Sequence, residues 1–359
     1  MFWGKKQFTT IDIGSSGIKA ATFTTKNDEI SLVGTAYVTL PFATIKEGKI
    51  VDPSLVANKI KELPAKLKSG IGKIIMTIPS NNIVIRNIEL PLMEKEELKE
   101  AIKWESDHYL PFPVAGAVLD YLILARSEEK MTLLLVAVKK ETIENYLNPL
   151  EKNSLTPLVL NVQPMALLSL LEYQGELTEA VAIIDIGAAS TKVVIGDQQN
   201  IYLARSIDLA GEEFTQLLME SHQLDFLEAE AYKKEKGLEE VRGEGGVDLA
   251  PVLAEIAVTG NEHGQALSSL ARNLVHEITR SLDFYAMEYR GQSINKTFIT
   301  GGGSRLKGLF ELLTAELDSK VIRLNPLKNL QVAKRGVNLT EELAVVLGLG
   351  ISEVINNAG

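Results

Sequence analysis

The sequence predicts an α/β protein of two halves, each built on its own sheet, with a cleft between them. Three observations predict it. The chain has 359 residues, too many for one small core and suited to two domains of roughly 150 to 200 residues. Both halves open on the same motif, since Thr10-Ile11-Asp12-Ile13-Gly14-Ser15-Ser16-Gly17-Ile18-Lys19 recurs in outline as Ile184-Asp185-Ile186-Gly187-Ala188-Ala189-Ser190-Thr191-Lys192. Late in the second half a strand, a glycine cluster and a helix follow one another, from Lys296 to Leu313.

In each copy of the motif an apolar strand ends in Asp, turns through glycine and small residues, and resumes as a strand, Ala20 to Thr24 in the first and Val193 to Ile195 in the second. One such hairpin would be an ordinary turn. Two at equivalent places point to a shared ligand. A polyphosphate needs backbone N–H donors and hydroxyls at close range, which Gly14, Gly17 and Gly187 permit by removing side-chain bulk, with Ser15, Ser16 and Ser190 beside them. Asp12 and Asp185 would repel the phosphates directly, so they call for Mg²⁺ and its retained waters between.

The third glycine cluster, Gly301-Gly302-Gly303 between Thr300 and Ser304-Arg305, lets a flat ligand lie on bare backbone beside a helix N-terminus. The chain has neither the Gly-x-Gly-x-x-Gly dinucleotide fingerprint nor a P-loop at this turn. The stripe Leu267, Leu270, Leu274, Ile278 and Tyr285 predicts a helix over Gln265 to Tyr289 that packs beneath the turn. Leu343, Val346 and Leu347 predict a last buried helix.

Composition bounds the remaining choices. The hydrophobic share is 45% and the charged share 23%, those of an ordinary folded protein. The formal charge of -10 argues against nucleic acid as a partner. Cysteine is absent, which excludes disulfides and thiolate metal sites, and the 4 histidines show no ligand spacing. No signal-peptide pattern opens the chain, and no apolar run reaches the roughly 18 residues needed to cross a bilayer. The expected location is cytoplasmic.

Together these motifs resemble the first phosphate, second phosphate and adenosine motifs of the actin-like ATPase superfamily, which implies two ribonuclease-H-like domains around an ATP cleft. On that resemblance Lys19, seven positions after Asp12, is a phosphate contact. Ala210-Gly211-Glu212-Glu213-Phe214 resembles the Gly-Gly-Glu-Asp-Phe turn of the heat-shock chaperones, whose glycine lies against the nucleotide. Glu230 and Lys233, on one face of a predicted helix, resemble the chaperones' adenosine-holding Glu-x-x-Lys pair, and Arg305 their adenine-stacking arginine. Ala188 and Ala189 occupy the place of the chaperones' Gly-Gly.

The stretch between the strand Lys73 to Ile78 and Leu160-Asn161-Val162-Gln163-Pro164 identifies the branch. Arg86 to Pro91, a charged helix from Glu94 to His108, and Tyr109-Leu110-Pro111-Phe112-Pro113 resemble the PilM family of type IV pilus assembly. Two strand-like runs follow, Val118 to Ala125 and Met131 to Val138, so a helix-strand-strand insertion is expected, as in PilM and the division protein FtsA. The resemblance divides the chain into a first core (1–82), the insertion (83–157), a return to the first core (158–178), a second core (179–214), a helical subdomain (215–264), the second core with the adenosine motif (265–337), and a C-terminal helix returning to the first core (338–359).

What the resemblance implies is a platform at the inner face of the plasma membrane, loaded with ATP and Mg²⁺ and binding the cytoplasmic N-terminal tail of a PilN-like inner-membrane protein. It leaves self-association open. Gln163 falls where the chaperones carry a glutamate near the attacking water; an amide can orient water but not take its proton, so slow turnover is expected. The competing readings are an FtsA-like division polymer, a type II secretion platform component, and a small-molecule kinase. The chain's last residues show no basic amphipathic face of the kind that ends FtsA.

Overall fold

The computed structural model describes residues 6–26, 29–79, 83–238, 262–289, 291–333 and 341–358. The first half carries β1 (Lys6–Gly14), β2 (Gly17–Lys26), β3 (Glu29–Thr39), the short pair β4 (Ile45–Lys46) and β5 (Lys49–Ile50), and β6 (Lys73–Ile78). An inserted unit supplies β7 (Ile83–Pro91), β8 (Ala117–Arg126) and β9 (Lys130–Lys139), and the chain then returns as β10 (Pro157–Val162). The second half holds β11 (Val181–Ile186), β12 (Thr191–Gly196), β13 (Ile201–Ile207), β14 (Lys296–Thr300) and β15 (Lys320–Arg323), before β16 (Gln331–Val332) rejoins the first sheet.

The two large sheets share one design. In the first the order is β10-β6-β1-β2-β3-β16, and in the second β13-β12-β11-β14-β15. Each begins as an antiparallel meander of three strands, β1-β2-β3 or β11-β12-β13, and adds two parallel strands to the first of the three. The repeat seen in the sequence is therefore a repeat of topology. It extends to register, because Asp12 pairs with Lys19 across the first hairpin and Asp185 with Lys192 across the second. All six residues of β11 and all six of β12 are buried, as strands covered on both faces must be.

Helices close the sheets along their apolar sides. Gln163–Tyr173 begins directly after β10 with proline in its first turn, where the ring costs no hydrogen bond. Against it lies Ala344–Ala358, with Leu343, Val346 and Leu347 buried as the pattern requires. Thr10 donates its hydroxyl to the Val346 carbonyl at 2.8 Å, tying the first strand to the last helix. Under the second sheet, helix Glu262–Glu288 buries Leu267, Leu274, Ile278 and Tyr285.

The insertion differs from expectation by one element. Besides the helix Lys95–Ser106 and the hairpin β8-β9, the stretch containing Arg86 to Pro91 is itself a strand, and the sheet order is β7-β9-β8. The alternation of Ile88 and Leu90 inward is the reason: both are buried with Leu98 and Ile102 of the helix and with Met131, Leu133 and Leu135 of β9. After the helix, the Pro111-Phe112-Pro113 turn sets the Lys139 ammonium 5.1 Å from the Phe112 ring centroid. At its other side β7 runs beside β13, so the insertion touches the second half as well as the first.

Candidate functional site

The ends of β1 and β11 face one another across a cleft of ≈ 860 Å³, within the roughly 300–1,000 Å³ typical of cofactor-sized pockets. Thirteen of the residues expected at the site line it: Asp12, Gly14, Ser15, Ser16, Lys19 and Gln163 from the first half, and Asp185, Gly187, Ala188, Ala189, Ser190, Gly301 and Gly302 from the second. Gly211, Glu230, Lys233 and Gly303 stand behind this wall, and Arg305 lies outside the lining with its side chain exposed.

The first hairpin is shaped by contacts to its neighbour strand. A Cβ on Gly17 would lie 2.7 Å from the Val38 carbonyl and 2.8 Å from the Tyr37 ring, so only glycine fits there. Tyr37 donates its hydroxyl to the Ser16 carbonyl at 2.9 Å, fixing the tip. Asp12, 3% exposed, accepts from the Thr77 hydroxyl at 2.8 Å and from the Gln163 side-chain amide at 3.1 Å, both at Oδ1. Its Oδ2 lies 3.5 Å from the Lys19 ammonium.

The second hairpin is fastened differently. Its tip carbonyls at Gly187 and Ala188 accept from the backbone N–H of Gly211 (3.2 Å) and Glu212 (2.8 Å), which open the helix Gly211–His222. The role of Gly211 is thus to bring that helix against the hairpin. Lys233 donates to the Gly211 carbonyl at 2.8 Å and to the Thr215 hydroxyl at 2.6 Å, and pairs with Glu230. The pair holds the wall in place from behind. Gly301 has φ +87, and a Cβ there would strike the Ile186 carbonyl and the Asp185 carboxylate. The glycine turn therefore packs on the second hairpin, with Arg305 directed to Glu342 at 3.3 Å.

Charge couples the two halves. Burial alone would lower the Lys19 pKa, yet Asp12 and, from across the cleft, Asp185 raise it above the usual lysine range. Burial raises the pKa of Asp185, against the pull of Lys192 and Lys19. Lys192 is lowered, mainly by burial, and donates to the Ser190 hydroxyl at 2.9 Å. Two buried carboxylates and two buried ammonium groups thus share one space, and none is solvated enough to be indifferent to a charged ligand. Such a donor set fits a polyphosphate with its cation: the lysines would meet phosphate oxygens, and the aspartates would meet waters carried by Mg²⁺.

Lys192 was missing from the residues the sequence reading assigned to the site, although the repeat places it as the twin of Lys19. Thr77 was missed because a hydroxyl at the end of β6 has no local signature. Glu212, on the cleft wall, is pushed up to about 7, first by burial and then by Glu213, with Lys233 opposing. Phe42, Lys46 and Glu47 also line the cleft, from the segment around β4 and β5. Among the described residues no three or more His, Asp or Glu side chains gather as a metal cage, and no helix is long and apolar enough to cross a membrane.

Comparison with known proteins agrees with this geometry. The chain is 23% identical to the cell division protein FtsA of Bacillus subtilis (strain 168) over 351 residues, 89% of this chain and 78% of that protein. Among solved structures it resembles the PilM-PilN type IV pilus biogenesis complex, with a TM-score of 0.82 and 28% identity over 97% of this chain and 98% of that one. EutJ, an ethanolamine utilization protein from Carboxydothermus hydrogenoformans, matches at TM-score 0.52 and 15% identity, over 96% and 89% of the two chains. MreB5 of Spiroplasma citri bound to ADP matches at 0.50 and 15%, over 99% of each. The fold is that of the actin-like ATPases. The family model described as type IV pilus assembly protein PilM matches residues 10–351, and the chain belongs to that family.

Proposed function

We propose that this chain is a nucleotide-loaded platform of type IV pilus assembly, in which ATP and Mg²⁺ hold the two halves closed and a PilN-like membrane protein reads the result. The observation that carries the nucleotide part is the convergence of Asp12 and Lys19 with Asp185 and Lys192. ATP supplies a polyanion that satisfies both lysines at once. Mg²⁺ when bound supplies positive charge between that polyanion and the aspartates. The chain's own groups then orient it: the glycine tips offer N–H donors, while Thr77 and Gln163 hold the Asp12 carboxylate in one rotamer.

Slow hydrolysis is part of the reading. Gln163 donates one of its two amide N–H groups to Asp12, and an amide provides no carboxylate to accept a proton from water. Occupancy, with its preference for a closed arrangement, is then the signal. The partner reading is supported by family membership and by the likeness to a PilM chain solved with PilN. A suitable place is the outer edge of β10, at the border of the first sheet, where Leu158 is 62% and Leu160 37% exposed. An extended N-terminal tail can satisfy unpaired backbone groups there and bury both leucines. Through that tail the platform would sit at the cytoplasmic face of the inner membrane.

Calorimetry tests both parts. Asp12→Ala or Lys19→Ala should weaken Mg-ATP binding at least tenfold, and a synthetic PilN-like N-terminal tail should bind the ATP-loaded chain. Unchanged ATP affinity in both variants overturns the nucleotide site. Failure of the tail to bind at high concentration overturns the platform.

A further inference from the structure

The segment that follows β3 crosses to the other side of the cleft. Phe42 belongs to the first half and lines the cavity, yet its ring stacks on Phe226 of the second half, with centroids 4.3 Å apart and 20° between planes. Phe226 is the first residue of helix Phe226–Lys236, which also carries Glu230 and Lys233 behind the cleft wall. Immediately after Phe42 the chain forms the two-residue hairpin β4-β5, whose turn residues Glu47 and Gly48 both have positive φ, 50 and 72, the geometry that closes a tight hairpin.

The base of this hairpin is buried and its tip is not. Asn145 accepts from the Ile50 N–H at 2.8 Å and donates to the Ile50 carbonyl at 3.0 Å, and Ile45 and Ile50 are buried in the first core. Lys46 and Glu47 at the tip are exposed and face the cleft. Phe42 itself remains 38% exposed, so the aromatic contact can part without opening a hydrophobic core. It cannot remain intact if the halves swing apart.

We propose that Phe42 and the β4-β5 hairpin form a clasp over the cleft, latched by the stack on Phe226, and that this clasp governs how fast bound nucleotide leaves. The proposal rests on the nucleotide reading above and adds a residue pair that touches neither phosphates nor cation. An aromatic pair contributes enough to change an exit rate by about two- to tenfold.

The absence of cysteine makes the test clean. In Phe42→Cys/Phe226→Cys, copper phenanthroline or a short bismaleimide should join the halves within one chain, and the joined protein should release a fluorescent ATP analogue at least tenfold more slowly than the same variant left unjoined. In stopped-flow chase experiments Phe42→Ala and Phe226→Leu should each release the analogue about two- to tenfold faster than the parent, and the double variant should add little to either alone. Their melting temperatures report whether folding is intact. No joining, or joining without effect on release, overturns the clasp. If the parent chain binds no analogue, the nucleotide reading fails and the clasp falls with it, whereas normal binding with unchanged release in both variants sinks the clasp alone.

Discussion

At the scale of single residues, the cleft is a set of groups whose charge depends on one another, and Glu212 shows what that implies for pH. Its carboxyl is raised from 4.5 to about 7, chiefly by burial. Below pH 4.5 it is protonated in both folded and unfolded chains and costs nothing. Between 4.5 and about 7 the unfolded chain releases the proton while the folded one keeps it, so stability falls as pH rises; above about 7 the loss is complete. Glu212→Gln should remove this slope, gaining about 1–2 kcal/mol at pH 8 relative to pH 5 once solvent screening is discounted. Urea titrations at the two pH values check it, and equal differences from the parent at both would refute the assignment. Of the residues in this cleft, Asp12 and Asp185 were legible because strand, turn and glycine frame them in the sequence, and Lys19 through the resemblance to the first hairpin of the actin-like ATPases. Glu212 was legible only as part of a turn, since its altered acidity arises chiefly from burial, which only the folded cleft supplies.

At the scale of elements, the glycine turn after β14 is the joint that packs on the second hairpin. Gly301 combines a left-handed φ with a backbone carbonyl and a carboxylate where a side chain would be. Gly301→Ala is expected to cost about 3 kcal/mol or more, because strain and collision act together. A denaturant midpoint within error of the parent's would contradict that. The run of three glycines announced this turn, and the apolar stripe announced the helix Glu262–Glu288 beneath the second sheet. The insertion was less readable. Its helix and its β8-β9 hairpin carry local period and turn signals, but β7 becomes a strand only through pairing with β9, a partner some forty residues away, as Ile88↔Leu133 shows. The same limit hid the clasp, since the contact of Phe42 with Phe226 is made by the closure of two halves and by nothing adjacent in the chain.

At the scale of the whole molecule, two sheets of one topology meet at their hairpin tips, while the insertion leans on both. The first half is also the less self-contained. Its core includes Phe23, Leu167 and Leu171 together with Val346, Leu347 and Leu349 from the helix Ala344–Ala358, and continues into Val181, Ile183 and Phe298 of the second half. Gly348 lies so near the Ala166 backbone that a Cβ cannot be placed there without displacing a helix. Gly348→Val should therefore loosen the first half preferentially, lowering the midpoint of urea unfolding by several kcal/mol's worth of stability, about 2–4. Limited proteolysis should then cut residues of the first half sooner than those between β11 and β15; equal protection in both halves would show the helix to be dispensable.

The tie between Thr10 and Val346 also orders events as the chain is made. The strands β11 to β15 follow one another in sequence without a strand of the first sheet between them, whereas the first sheet lacks a wall until the helix Ala344–Ala358 has been made. A nascent chain thus has no fastened cleft until the stretch from Leu343 to Ile351 has been made and has packed against the first sheet.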